Sequence, residues 1–507
     1  MTNAVVVLLD SLNRHLLGAY GSDEFDTPNL DRVAARSARF TRHHAGSLPC
    51  MPARHDLLTG SLDFLWRPWG SLELWDEPIT RTLRRAGVVT QLVTDHPHLF
   101  ETGGENYHCG FTAWDYVRGH ESDPWRTRPD PSWVGAPDFG RGHTPYDDSR
   151  GFFRDEADFP GPRTMAAATR FLADDAPVHR AAGTPWLLFV DEFDPHEPFD
   201  TPEPWASRYD PDWDVARDGP HLIWPPYTHE GVTGGVLTER QGRQVRAQYG
   251  AKLSMIDHWL GRVLDELDAG GWWDDTVVVV CTDHGHYLGE HDRWGKPGVW
   301  IREPLLHTPL FVHWPGLTSP GSRVDALTTN VDLHATICDA FGVPSPGAHG
   351  RSLRPLLDGS SDSVRDWVLA GVWGREVHLL SGDAKYVRGA ADGSNLPLSM
   401  WSNRWSTMPV HSLPDLRMPD PDDRAELARM PGSSIPVIRQ PFGEGDLLPF
   451  WAYGRPQVTR CHDLADDPDE DHDLCGTPLE SALEEVLRSA LAEVEAPADQ
   501  LVRLGLT

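Results

Sequence analysis

Ala4-Val5-Val6-Val7-Leu8-Leu9-Asp10-Ser11 places six apolar residues directly before an aspartate and a serine. The run does not alternate and is too short for a stable helix, so it reads as a strand buried on both faces. Residues 88–93, 186–190, 276–281 and 309–312 have the same Val-, Leu- and Phe-rich character and read as further buried parallel strands. Helical patterns lie between them. From Glu239 to Asp268, apolar residues recur at three- and four-residue steps through Val245, Tyr249, Leu253, Ile256, Leu260, Val263, Leu264 and Leu267, and Gly270-Gly271 stops the pattern. Thr27-Pro28 reads as an N-cap followed by the first helical residue, and Asn330 as the cap of a helix through Leu333, Ile337 and Phe341. This alternation predicts an α/β fold with a mainly parallel central sheet flanked by helices.

The pattern changes near residue 366. Shorter strands are expected at 367–373 and 384–387, and a final helix begins at Thr477-Pro478. We therefore expect a catalytic α/β domain over 1–365 and a smaller C-terminal α+β subdomain over 366–507. Residues 396–450 show no clear period and read as an insertion, a lid or an oligomer contact.

Composition narrows the function. With 45 Lys+Arg against 76 Asp+Glu, the formal net charge of −31 argues against nucleic-acid and anionic-membrane partners, which need a basic face. A hydrophobic fraction of 39 % with 21 Trp supplies a large core and argues against disorder. Six Cys in 507 residues form no disulfide framework. No apolar run approaches the roughly 20 residues of a membrane span. No Lys or Arg precedes residues 4–9, so no secretory leader is read and a cytoplasmic protein is expected.

Polar residues gather where strands end. Asp10-Ser11, Asp95-His96-Pro97-His98, the segment from Asp191 to His196, and Asp283-His284-Gly285-His286 each follow an apolar run. In open α/β sheets ligands bind beyond the carboxyl ends of the strands. Carboxylates and imidazoles converging on one such rim point to a divalent metal.

Cys50-Met51-Pro52-Ala53-Arg54, followed by Leu58-Thr59-Gly60, resembles the C-x-P-x-R and L-T-G signature of the sulfatase family in the alkaline phosphatase superfamily. Other matches follow in family order. They are Asp10 after the first strand, Asp194-Pro195-His196-Glu197-Pro198, Asp283-His284-Gly285 with Gly295-Lys296 beyond it, and Asp463-Leu464 leading to Asp467-Pro468-Asp469-Glu470. The resemblance implies that Cys50 is oxidised to formylglycine by a separate formylglycine-generating enzyme. It further implies one divalent metal, Ca²⁺, Mn²⁺ or Zn²⁺, held by Asp10, Cys50, Asp283 and His284; Ser11 reads as a weak ligand, a donor behind the ligands or only a helix cap. The hydrated aldehyde would attack a small anionic ester and form a covalent sulfo-enzyme intermediate. Arg54 would hold the nucleophile and neutralise ester oxygens, His196 would protonate the leaving alcohol, and Lys296 would stabilise developing charge. His98 would remove the proton from the second hydroxyl, and His96 would act beside it or serve only to hold a turn.

Two departures bear on substrate. Ser11 stands where many sulfatases have a second Asp, and Asp283-His284 stands where many have Asp-Asn, as in phosphonate monoester and phosphodiester hydrolases of the same superfamily. The expected activity is therefore sulfate ester hydrolysis. Phosphonate or phosphodiester hydrolysis is the alternative, and an inactive anion-binding homologue with an unmodified Cys50 is the distant one. Cys461-His462 with His472 and Cys475 lacks a recognised zinc spacing.

Overall fold

The computed structural model describes residues 2–127, 144–296, 301–404, 425–444, 446, 448–452 and 458–507. The opening run forms the strand Asn3–Leu9, buried throughout, near the middle of the main sheet. Trp186–Glu192 and Thr276–Cys281 flank it in parallel. Val89–Thr94 and then Ala113–Tyr116 continue one side in parallel. His307–His313, Ala38–His44 and the short strand Arg323–Val324 complete the other.

Successive side chains of a strand point to opposite faces, and both faces here are covered. Val5, Val7 and Leu9 pack with Val245, Leu253, Ile256 and Leu260 of the helix Glu239–Ala269. Ala4, Val6 and Leu8 pack with Leu57 and Leu58 of the helix Cys50–Thr59 and with Leu333 and Ile337 of the helix Val331–Ala340. Double coverage explains why the strand sequence is continuously apolar.

One expected strand has the opposite direction. Residues 309–312 belong to His307–His313, which runs antiparallel to both Thr276–Cys281 and Ala38–His44. The chain leaves Cys281 at the carboxyl rim and is still there at Leu305, whose carbonyl accepts from Gly285 N at 2.9 Å. Re-entering the sheet from that rim forces the next strand to run back.

The two expected caps also differ. Thr27 places no side-chain bond on the helix Pro28–Arg36; its Oγ1 accepts from Gly18 N at 3.2 Å. Asp257, from the long helix, accepts from Asn29 N at 3.0 Å and Leu30 N at 2.7 Å and so caps the helix from outside. Asn330 makes no cap either. Its Nδ2 donates to the Asp283 carbonyl at 3.1 Å, and its Oδ1 lies 3.1 Å from His43 Nε2.

The C-terminal region holds a four-stranded antiparallel sheet in the order Trp367–Gly371, Val377–Ser381, Ala384–Arg388 and Arg460–Asp463. The helix Pro478–Glu493 contributes Leu483, Leu487 and Leu491 to the same core. Residues 396–450, read as lacking a period, contain a second antiparallel sheet among the described residues. Its strands are Leu398–Ser402, Pro436–Phe442 and Glu426–Arg429. Among the described residues no helix is long and apolar enough to cross a membrane.

Asp257→Ala leaves two donors at a helix start without their partner. We expect a loss of about 1–3 kcal/mol in stability, read as a lower denaturation midpoint with unchanged far-ultraviolet dichroism.

Candidate active site

Register brings the strand ends together. Leu9 is level with Glu192, Leu8 with Cys281, and Thr94 with Asp191. Asp10, Asp191, Asp283 and the Asp95-His96 pair therefore emerge along one rim of neighbouring strands. Cys50 arrives from another direction, as the first residue of the fully buried helix Cys50–Thr59. Arg54, one turn later, lies on the same helix face.

Arg54 is the hub of this rim. Its Nε and Nη2 donate to Asp191 at 2.7–3.1 Å, and Nη1 donates to Asp283 Oδ2 at 2.8 Å. Asp10 Oδ2 lies 3.0 Å from Nη2. Nη1 also donates to the Cys50 carbonyl at 3.2 Å. With its donors so engaged, Arg54 holds carboxylates in place.

The donors expected for a metal meet here. One ligand atom each from Asp10, Cys50, Asp283 and His284 lies within 4.8 Å of the other three, and all four residues are buried. Cys50 Sγ is 3.2 Å from His284 Nε2. His284 Nδ1 lies 2.8 Å from the Gly285 carbonyl, which can only accept, so Nδ1 carries the proton and Nε2 turns a lone pair inward. This is how a metal-binding imidazole is oriented. Burial holds His284 neutral, at about 4, despite Asp283. Asp10 Oδ2 is buried and receives no well-directed hydrogen bond. Burial and the neighbouring Asp283 raise the Asp10 pKa well above the ordinary carboxylate range. Burial would raise Asp283 also, but Arg54 and the backbone N–H of Ser11 outweigh it and hold Asp283 ionised. Four carboxylates, Asp10, Asp191, Asp283 and Glu197, stand against two cations, Arg54 and Lys296, leaving two negative charges in excess at full ionisation. The buried Asp10 oxygen, the inward imidazole and the excess charge all suit a divalent cation.

Lys296 reaches the same space. Its ammonium lies 3.3 Å from Glu197 Oε1 and donates to Ser11 Oγ at 3.4 Å. Burial lowers its pKa, but Glu197, Cys50 and Asp10 outweigh that and keep it charged. Ser11 donates its hydroxyl to Asp10 Oδ1 at 2.7 Å, and its backbone N–H donates to Asp283 Oδ1 at 3.1 Å, so it orients both carboxylates. His196 stacks on Phe193 with ring centres 4.0 Å apart, and its Nδ1 donates to the Glu197 carbonyl at 2.6 Å. Burial pushes its pKa well below the ordinary range, against the pull of Glu197.

His96 and His98 divide sharply. His98 Nδ1 is paired with Glu101, and Nε2 lies 3.1 Å from Glu121. Burial disfavours its charge, but Glu121 and Glu101 outweigh burial and raise His98 to about 10. Such an imidazolium has no lone pair, so the proton-accepting role expected of His98 does not suit it. His96 is fully buried with both ring nitrogens unpartnered, and its Nε2 is 3.8 Å from Asp10 Oδ2. Burial and the nearby Arg54 keep it neutral.

Sequence reading missed several contributors. Asp191 lay in a noted strand-end cluster, but nothing in the chain linked it to Arg54. Glu197 follows His196 directly, yet its contact with Lys296 is tertiary. Tyr227 donates its hydroxyl to Glu197. Lys252 donates to the carbonyls of His196 and Pro198 at 2.9 and 2.8 Å and lies 2.6 Å from Asp194, which fixes the segment carrying His196. A lysine among apolar positions of the long helix was its only signal. Trp69 packs edge-on against His98 at 5.1 Å, while Trp66 lies in the C-terminal core. Among the described residues, no potential metal cluster includes Cys461, His462, His472 or Cys475. Glu470, in the stretch Asp467-Pro468-Asp469-Glu470, is buried against Lys385 at 2.9 Å.

The sulfatase family model matches residues 2–343. The chain belongs to the sulfatase family. It is 26 % identical over 431 residues to a choline-sulfatase of Rhizobium meliloti, covering 78 % of this chain and 79 % of that one. It is 27 % identical over 425 residues to PehA, a multifunctional alkaline phosphatase superfamily protein of Trinickia caryophylli, covering 72 % and 78 %. The phosphonate monoester hydrolase of Agrobacterium radiobacter has the same fold, with a TM-score of 0.65, 19 % identity, and coverage of 98 % of this sulfatase-family chain and 96 % of that one.

His98 has a folded pKa of about 10 against an ordinary 6.5. Its ion pairs therefore stabilise fully below about pH 6.5, and that contribution is lost as pH rises through 10. Histidine-selective NMR should find His98 still protonated at pH 8, and Glu121→Gln should move its titration downward. A titration near 6.5 in the unaltered protein would contradict the ion triad.

Proposed function

We propose that the protein hydrolyses sulfate esters of small anionic substrates, with formylglycine made from Cys50 supplying the nucleophile as a hydrated aldehyde. One divalent metal, Ca²⁺, Mn²⁺ or Zn²⁺, would be held by Asp10, Asp283, His284 and an oxygen of the converted Cys50. The carrying observation is the placement of Cys50 at the head of a buried helix, 3.2 Å from His284 Nε2 and within the same cluster as Asp10 and Asp283. Left as a thiol, Cys50 is a poor nucleophile there. Burial and Asp10 raise its pKa well above the ordinary thiol value, whereas nucleophilic cysteines need a lowered one. When bound, a divalent cation supplies Lewis acidity and cancels the excess negative charge.

The remaining steps belong to side chains of the chain itself. Arg54 keeps Asp10, Asp191 and Asp283 in position. Lys296 is the fixed positive charge offered to ester oxygens. His196, with Nδ1 tied to a carbonyl, turns Nε2 toward the leaving alcohol; an anionic ester beside it would favour its protonated form. His96 takes the proton-accepting role, and His98 contributes charge. Because Cys50 to Thr59 are all buried, the formylglycine-generating enzyme would have to read the signature before folding is complete.

A second reading, hydrolysis of phosphonate monoesters or phosphodiesters, is favoured by Ser11 beside Asp10 and by the Asp283-His284 pair. A rate comparison on an aryl sulfate, a phenylphosphonate ester and a phosphodiester separates the two. Sulfate is expected to be fastest, and a decisive preference for phosphorus esters would replace the first reading with the second.

Peptide mass spectrometry across Cys50 should show a mass below that of cysteine, with reactivity toward aldehyde probes. Unmodified thiol alone, from a host able to make formylglycine, would favour the inactive homologue. Cys50→Ala and Asp283→Ala should each lower kcat by at least about 10³-fold without unfolding the chain.

A further inference from the structure

A second group of metal-ligating side chains lies where the strands Ala38–His44 and His307–His313 meet at one end of their pairing. His44, Glu303 and His307 each present one ligand atom within 4.8 Å of the others. His44 ends the strand Ala38–His44, and His307 begins His307–His313 directly opposite it. Glu303 opens the short helix Glu303–Leu306, one turn before His307. His44 comes from a segment far in sequence from Glu303 and His307, and the resemblance to sulfatases assigns none of the three a role.

Three observations point to a ligand at this place. First, His307 Nε2 lies 2.5 Å from the Thr41 carbonyl, which can only accept. Nε2 therefore carries a proton, and Nδ1 is the inward atom, donating to Glu303 Oε2 at 2.7 Å through a proton that a bound cation would displace. A ligating imidazole is commonly anchored through its other nitrogen in this way. Second, His44 Nδ1 is buried without a hydrogen-bond partner, in a residue only 2 % exposed. Third, Glu303 Oε1 is likewise buried and unpartnered. An unmet carboxylate oxygen and an unmet imidazole nitrogen are each costly in a protein interior, and one cation satisfies both.

We infer that His44, Glu303 and His307 form a second, non-catalytic site for a Zn²⁺-class transition metal. Two imidazoles and one carboxylate are a ligand set that Zn²⁺ accepts, with water in the remaining position. The ligand atoms of a tetrahedral Zn²⁺ sit about 3.4 Å apart, given bonds near 2.1 Å, so small side-chain rotations close the group onto the ion. Lys385, the nearby cation, does not compete for Glu303 because it is paired with Glu470 at 2.9 Å. Arg14 lies over the Tyr20 ring at 4.4 Å. The ion would clamp the paired ends of these two strands. Ala45 N donates to Leu306 O, and Gly285 N donates to Leu305 O, each at 2.9 Å. The same few residues thus brace the segments leading to Cys50 and following Asp283.

This inference does not rest on the proposed chemistry, and variants keep the two apart. Full-length protein stripped with a chelator is titrated with Zn²⁺ by calorimetry and with Co²⁺ by visible absorption. One equivalent of Zn²⁺ should survive in Asp283→Ala and disappear in His307→Gln and Glu303→Gln, with circular dichroism unchanged. Zn²⁺ should also raise the Tm of Asp283→Ala and leave that of the double variant carrying His307→Gln unmoved. If His307→Gln does not fold, Glu303→Gln gives the same reading. Zn²⁺ binding that is abolished entirely by Asp283→Ala, or is unchanged by both His307→Gln and Glu303→Gln, would overturn the second site.

Discussion

The site depends on one buried guanidinium. Arg54 is almost inaccessible to water and is bonded to Asp191 and Asp283, with Asp10 beside it. The three carboxylates come from the ends of three adjacent strands, and Arg54 comes from the helix that begins with Cys50. One side chain thus sets the position of the helix relative to the sheet. Removing one member of such a cluster strands a charge in the interior, at a cost of about 3–5 kcal/mol. An apolar replacement of the whole group need not cost stability. The cluster is therefore better understood as a device for placing carboxylates than as a source of stability.

This arrangement changes how an acidic protein meets an anionic ester. A net charge of −31 and a rim with two excess carboxylates both repel an anion. Arg54 does not offset this, because its charge is already spent on aspartates. Lys296 is already paired with Glu197, and the donor set beside Cys50 suits a divalent cation that would neutralise the balance. Anion recognition is then confined to a few ångströms, with little long-range steering.

The imidazoles show how the same side chain is given different work. His98 lies between two glutamates and is held charged, while His96, two residues away, has no partner and is held neutral by burial. His284 and His196 each donate Nδ1 to a neighbouring carbonyl, which leaves the lone pair of each neutral ring on Nε2. Residue type sets an ordinary pKa near 6.5, and the neighbours decide which side of neutrality each ring occupies.

The central strands were legible because burial on both faces demands unbroken apolar runs, and the carboxyl ends of parallel strands must share a rim. The signature around Cys50 and the order of the polar clusters pointed to the family for the same reason: they are local in sequence. Other features were not local. The antiparallel strand His307–His313 has the same composition as its parallel neighbours, so its direction had to come from where the chain re-enters the sheet. Glu426–Arg429 is largely exposed and shows no apolar pattern, which hid the second C-terminal sheet. Asp257 caps a helix more than two hundred residues away, and Asp191 meets Arg54 across 137. By itself the sequence determined the strand-and-helix alternation, the family and the residues able to do chemistry. Only the tertiary structure decided which charges neutralise one another, which histidine keeps a free lone pair, and that His44 and His307 face each other across a strand pair. Those outcomes depend on distances between segments, and pairing energies fall off within a few ångströms that spacing along a chain does not encode.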